Sequence, residues 1–294
     1  MPSAANKARA GTALVEEQPG LWRLQLGACA EVVAGVTDRT STLDILRQHP
    51  ACSRGFVQAE QVHGTSIAAI EIVPPGACLS SVAGCDALLT SLSQLALTIR
   101  TADCLPLYVW DAAKRVIGLA HVGWRGVAKQ LPMRLASFLR QWYQSRVEDV
   151  WWGLGPAIRA CCYEVGPEFE ARFHGPPGSS RAGAGRRFVT RNREGRRTFD
   201  LAGAAIEQLQ QCGMRMDQVL DSGVCTACDR AGTILAGDRA EGIRSGKEVS
   251  AIEGLPTEEV PRAAERAADR GRWFSVRREG DATGRLFSFI ALTR

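Results

Sequence analysis

The chain has 294 residues, 45% of them hydrophobic, and a formal net charge of +5, enough apolar content for one large core or two smaller ones. No run of about 18 apolar residues occurs, which excludes a spanning helix, and the polar, Ala-rich residues 1–17 lack the apolar centre of a secretory signal, so a cytoplasmic protein is expected. The charge is mild, and its arginine-rich stretch at 181–197 carries one aromatic, Phe188, with no interleaving that suggests base stacking, which argues against a nucleic-acid binder; ten cysteines without an export signal read as free thiols.

In chain order, residues 1–20 are expected to be a flexible lead. Residues 20–36 alternate enough for early strands, and Pro74-Pro75-Gly76 marks a turn. LALTI, LPLYVW and RVIGLAH, between Leu95 and His121, are rich in β-branched and aromatic residues and predict three strands. After Gly123-Trp124-Arg125-Gly126 the period changes. Leu131, Leu135, Phe138, Leu139 and Trp142 fall at helical spacing, with Pro132 tolerated in the first turn. Val150 to Leu154 returns to strand. Residues 175–197 read as a Gly/Pro/Arg-rich loop. Asp200 is a candidate N-cap for a helix through Leu201, Ala205 and Leu209, ending near Gly213. Residues 229–271 are polar and weakly periodic and predict a mobile insertion with one short helix at 258–268. Strand character resumes from Trp273 to Leu292. Strands and helices interleave without strict βαβ order, so a mixed α/β, α+β single domain over 21–294 is expected.

The most informative segment is TADCLPLYVWDAAKRVIGLAHVGWRG. If Ala112-Ala113 form a two-residue hairpin loop, Asp111 faces Lys114, and counting outward pairs Cys104 with His121. Directly opposed residues share a face at roughly 5 Å. A thiol beside an imidazole at strand ends supports either metal ligation or nucleophilic catalysis by an activated thiol; a buried structural cysteine is the third alternative. His63, in Gln61-Val62-His63-Gly64-Thr65, is a candidate third ligand. His49 and His174 lie in loop-like sequence without an evident partner. Cys225-x-x-Cys228 has no second pair at zinc-ribbon spacing, so a structural metal is not expected there. Cys161 and Cys162 are adjacent, which makes a bond between them strained.

Taken in order, QVHGT (61–65), DALLT (86–90), TADCLPL (101–107), AHVGWRG (120–126), GPAIRACCYEVG (155–166), FDL (199–201), CT (225–226) and FSVRREGDATGR (274–285) resemble the laccase-domain or multicopper polyphenol oxidase family, also called the peptidoglycan editing factor or purine nucleoside phosphorylase-like family. The resemblance implies a layered α/β/β/α sandwich of the cytotoxic-necrotizing-factor-like type. It implies a zinc ion held by His63, Cys104 and His121, with copper as the alternative under the older label, although three ligands are too few for a multicopper cluster. It also implies phosphorolysis of adenosine, inosine and methylthioadenosine, and deamination of adenosine, by a monomer whose partners are purine nucleosides and phosphate. Cys104, His121, Asp103 and Arg125 are then the expected catalytic residues. Arg125 or Arg39 would hold phosphate through a bidentate contact. Asp103 would orient His121, bond the purine, or merely cap its loop. The competing functions are a Cys104–His121 hydrolase editing peptidoglycan precursors, a copper polyphenol oxidase and a non-catalytic metal-bound scaffold.

The chain departs from the family pattern at three places. Its N-terminal motif shrinks to Thr37-Asp38-Arg39, Val276 stands where Tyr is usual, and residues 229–271 separate two segments that normally lie close together.

Overall fold

The computed structural model describes residues 14–26, 30–73, 79–173, 188–191, 194–229 and 271–293. Fifteen strands and five short α-helices are defined among them. The strands are β1 (Leu14–Gln18), β2 (Leu21–Leu24), β3 (Val32–Thr37), β4 (Phe56–Glu60), β5 (Ile67–Ile70), β6 (Ser80–Ala83), β7 (Ala87–Thr90), β8 (Ala96–Thr101), β9 (Leu105–Asp111), β10 (Val116–Val122), β11 (Val150–Leu154), β12 (Val189–Arg191), β13 (Arg197–Phe199), β14 (Val219–Asp221) and β15 (Leu286–Leu292). The helices are α1 (Trp124–Ala128), α2 (Leu131–Trp142), α3 (Glu168–Phe173), α4 (Leu201–Gln211) and α5 (Val276–Glu279).

A seven-stranded sheet, in the order β1-β2-β3-β15-β8-β4-β6, packs on a six-stranded sheet, β14-β11-β9-β10-β7-β5. β12 and β13 form a separate ribbon. Because side chains alternate across a strand, each central strand feeds two cores. On β9 and β10, Tyr108, Trp110, Ile117 and Leu119 enter the layer between the sheets, where they meet Trp22, Val36, Leu97 and Ile99. Leu105, Leu107, Val109, Ala120 and Val122 point the other way, onto Val127, Leu131, Leu135, Leu201 and Leu209 of α1, α2 and α4. Each fully buried Leu or Val of this kind contributes about 1.5–3 kcal/mol relative to exposure. Outside the seven-stranded sheet, two 3-10 turns at Leu43–Leu46 and Pro50–Cys52 cover Val33, Phe56, Phe289 and Ala291. The layers are therefore the expected mixed α+β sandwich, and among the described residues the cover on one side is made by 3-10 turns. His49 has a local task there: its Nδ1 accepts the Ala51 amide at 3.2 Å and caps the second turn.

Several expectations need correction. Leu14–Gln18, within the lead expected to be flexible, form β1 and pair antiparallel with β2, while residues 1–13 lie outside the described residues. The β9–β10 hairpin pairs Asp111 with Val116 and Pro106 with His121; its loop is four residues, not two. The cause is Asp111, whose Oδ1 accepts the amides of both Ala113 and Lys114 at 2.9 Å, with Arg115 then left-handed at φ 53°. This Asx-type turn outcompetes Ala-Ala, which is poor two-residue hairpin chemistry. The register moves by two residues, an even number, so every side chain keeps its face. Gly123 now stands opposite Cys104, and His121 lies diagonally beside it. The tail makes a short helix at Val276–Glu279 before its strand begins at Leu286. By contrast, α2 and α4 follow the sequence closely: Asp200 caps α4 by accepting the Gly203 amide at 2.9 Å.

The Pro74–Gly76 turn, the helix at 258–268, His174 and most of the 175–197 loop lie outside the described residues, as does the 229–271 insertion apart from its two ends. Those ends touch. The Trp273 indole donates to Asp229 Oδ2 at 2.7 Å, and Arg272 lies 3.7 Å from the same carboxylate oxygen. Replacing 231–270 with a short Gly/Ser linker should therefore shift the melting temperature by less than about 3 °C in differential scanning calorimetry, because closure cost grows only logarithmically with loop length. A larger drop would make the segment part of the core.

Candidate active site

β9 begins and β10 ends at the open end of their hairpin, where Leu105 pairs with Val122, and this delivers Cys104 and His121 to one spot. His63 arrives from the loop after β4, with its backbone left-handed at φ 57°. The ligating atoms of His63, Cys104 and His121 all lie within 4.8 Å of one another. The two imidazole rings meet edge to face, with centroids 4.8 Å apart and planes at 85°. Gly123 is required by close approach: a Cβ there would stand 3.0 Å from the Cys104 sulfur and 3.5 Å from the His63 ring.

One residue holds this arrangement together, and sequence reasoning missed it. Asp86, fully buried just before β7, accepts the backbone amides of Val62 (3.2 Å), His63 (3.0 Å) and Gly64 (2.7 Å). The same carboxylate lies 2.9 Å from His121 Nδ1, and its own carbonyl accepts the His121 amide at 2.8 Å. With the Nδ1 proton donated to Asp86, His121 Nε2 is left as the ligand atom, the usual arrangement of a carboxylate behind a metal-binding histidine. The signals in the sequence are an aspartate opening an otherwise apolar strand and its place at the head of the DALLT motif (86–90).

Electrostatics follow from this packing. Burial opposes ionisation of Cys104, but the His121 charge and hydrogen bonds with His121 and His63 outweigh it and bring the thiol down to about 6. Burial likewise opposes charge on His121, yet the Cys104 thiolate and the bonds to Asp86 and Cys104 raise it to about 9. Asp86 is lowered: burial works against it, but the His121 bond and the Gly64 and Val62 amides prevail. Between those values the metal-free site is a thiolate–imidazolium pair. Metal-free protein should then be alkylated by iodoacetamide at Cys104 with a midpoint near pH 6, while Cys52 and Cys85, pushed by burial up to about 12 and about 11, stay unmodified at neutral pH. His121→Ala should move the Cys104 midpoint upward; peptide mass mapping across pH reads both.

The triad sits in a cavity of about 870 Å³. Arg100, Arg125, Arg277 and Arg285 line it, together with Trp124, Tyr163 and Leu201, against the acids Asp103 and Asp281. Val276 is part of its wall, so that departure from the family pattern falls on the pocket itself. Arg125 stacks 4.6 Å above the Trp124 ring. Two other expected site residues are held by contacts of their own. Asp103 lines the cavity, and its carboxylate accepts Thr226 Oγ1 and the Arg277 amide, both at 2.7 Å, so of its expected roles the tie between loops is the one these contacts carry. Arg39 lies outside the cavity, bound to Glu279 at 2.8 Å and to the Gly271 carbonyl at 3.1 Å, beneath Phe274.

The donor set fits a metal ion. Two imidazoles and a thiolate form an open three-ligand site suited to zinc, and they also suit copper. No helix among the described residues is long and apolar enough to cross a membrane.

The chain is 32% identical over 143 residues to a purine nucleoside phosphorylase of Aquifex aeolicus, covering 49% of this chain and 60% of that protein. It is 34% identical over 159 residues to one of Deinococcus radiodurans, covering 54% and 56%. The matched region thus spans less than two thirds of the length of these relatives. Two crystal structures share the fold, each with a TM-score of 0.71. The YfiH protein of Bacillus licheniformis is 20% identical, with 96% of this chain and 100% of that chain covered. YlmD from Geobacillus stearothermophilus is 21% identical, with 96% and 99% covered. The family model for multi-copper polyphenol oxidoreductase laccase matches residues 37–252, and the chain belongs to that family.

Proposed function

We propose that the protein is a zinc-dependent purine nucleoside phosphorylase that also deaminates adenosine. The observation that carries this reading is the convergence of His63, Cys104 and His121 on one cavity that four arginines line. A zinc ion held by these three residues, when bound, supplies Lewis-acid activation of an oxygen nucleophile.

The protein's own groups do the rest. Asp86 retains the Nδ1 proton of His121 and so fixes which nitrogen faces the cavity. Arg125 and its neighbours Arg100, Arg277 and Arg285 hold the phosphate dianion, for which guanidinium forks are well matched. Trp124 and Tyr163 offer flat apolar faces to a purine. In phosphorolysis a phosphate oxygen bonds to C1′ of the ribose while the C1′–N9 bond breaks and the base leaves with a proton. In deamination water adds at C6 and ammonia leaves.

A second reading rests on the lowered Cys104 thiol, which suits a thiolate nucleophile in a Cys104–His121 hydrolase of cell-wall precursors. Metal-loaded full-length protein incubated with adenosine, inosine and methylthioadenosine, with and without phosphate, separates the readings by product mass. Free base with the matching pentose 1-phosphate should form only when phosphate is present. Inosine should form from adenosine in either buffer. Absence of all these products would reject the nucleoside reading, and activity undiminished by chelation would favour the thiol.

A further inference from the structure

Read along the chain, Cys225-x-x-Cys228 lacks a partner pair, and a metal there is not expected. The fold supplies the pair. Ala157 and Cys225 form a parallel bridge, with the Ala157 amide on the Val224 carbonyl at 3.2 Å and the Thr226 amide on the Ala157 carbonyl at 3.1 Å. This joins the loop after β11 to the loop after β14. Cys161 and Cys162 thereby come up against Cys225 and Cys228, and all four sulfurs lie within 4.8 Å of one another. The Cys161 and Cys228 sulfurs are 3.6 Å apart. Four sulfurs at the usual zinc–sulfur distance around a tetrahedral centre stand about 3.8 Å from each other.

We propose that Cys161, Cys162, Cys225 and Cys228 form a second metal site, a four-thiolate site for a structural zinc ion. The frame around it is already built. The Cys162 amide donates to the Arg159 carbonyl at 2.9 Å and the Asp229 amide to the Cys225 carbonyl at 3.0 Å, so each cysteine loop is closed by its own turn bond. Arg159 Nε donates to the Val224 carbonyl at 3.1 Å, and Arg278 Nη1 donates to the carbonyls of Thr226 and Ala227 at 2.9 and 3.0 Å. These two guanidinium groups hold both cysteine loops, while their charges are paired with Asp221 and Glu279. Binding displaces the remaining thiol protons to solvent, with no change in oxidation state.

The site has a structural consequence for the cavity. Its loops carry Tyr163 into the wall and Thr226 onto Asp103. A zinc ion here would lock the part of the pocket wall that these loops supply. The assignment stands apart from the His63–Cys104–His121 reading, because the two ligand sets share no residue.

Full-length protein, kept reduced and loaded with Co²⁺ as the probe, separates the two sites by absorption. Wild type should bind two equivalents and show the intense sulfur-to-cobalt charge-transfer and visible bands of a tetrathiolate. His63→Ala/His121→Ala should keep those bands. Cys225→Ser and Cys161→Ser/Cys228→Ser should lose them and about one metal equivalent. Where a serine variant does not fold, zinc-edge X-ray absorption of wild type reads the same point. More than one sulfur per zinc on average is expected, whereas the triad alone supplies one. Absence of tetrathiolate bands in wild type, bands unchanged by the cysteine substitutions, or a Cys161–Cys228 disulfide in protein purified anaerobically would overturn the assignment.

Discussion

Asp86→Asn is expected to lower metal affinity at the His63–Cys104–His121 site by about 10- to 100-fold, the usual cost of losing the partner behind a ligating histidine. Turnover should fall at least as far. The substitution keeps the size of the side chain but replaces one acceptor oxygen with an amide. The wild-type carboxylate accepts three backbone amides of the His63 loop as well as His121 Nδ1. Part of that set must lose its partner in a buried place. The stability cost should be about 3 kcal/mol, since bonds to a charged acceptor contribute more than neutral ones. The pH dependence has a definite sign. Asp86 is lowered in the folded state, so its contribution is complete at neutral pH and is lost as pH falls from about 4, the ordinary carboxylate value, through its folded value. Urea unfolding of wild type and Asp86→Asn should therefore differ most near pH 7 and converge in acid. Equal metal affinity in the two proteins would remove Asp86 from the account.

Trp273→Ala should be the costliest core substitution at the edge of the pocket, about 3–5 kcal/mol, or roughly 10 °C in melting temperature for a chain of this size. Trp273 is fully buried. It packs edge-on against Trp22 with centroids 5.7 Å apart, and its indole donates to Asp229. It is thus the anchor at which the chain returns after residue 270. The segment that follows supplies Val276, Arg277, Thr283 and Arg285 to the cavity. Loss of the anchor should raise the Michaelis constant for phosphate as well as lower stability. Calorimetry and steady-state kinetics on the same preparation read both. A loss under about 1 kcal/mol would show that the segment is held elsewhere.

How much of this was legible in the sequence depended on the range over which each signal acts. The two-residue alternation of β9 and β10 is local, so the faces of Cys104 and His121 can be read from it even though the turn has four residues in place of two. The helices α2 and α4 carry their own period and, in Asp200, their own cap. Asp86 was not legible as a positioning residue, because it acts on amides more than twenty residues earlier and on a ring 35 residues later. Arg39 looked like a ligand-binding arginine by its place in a motif, but the ion pair with Glu279 that claims it depends on where the tail folds back. The four cysteines escaped for the same reason. Their pairing is made by a bridge between distant loops, and no spacing rule along the chain encodes it.

The central claim is that His63, Cys104 and His121 together hold one metal ion at the base of the cavity. Crystals of the full-length protein, grown without chelator and measured on both sides of the zinc absorption edge, test it most directly. An anomalous peak is expected among the His63 ring, the Cys104 sulfur and His121 Nε2, with a separate peak among the four cysteines if that site is also filled. No peak at the triad in crystals soaked with zinc, with its three side chains otherwise ordered as described, would contradict the account.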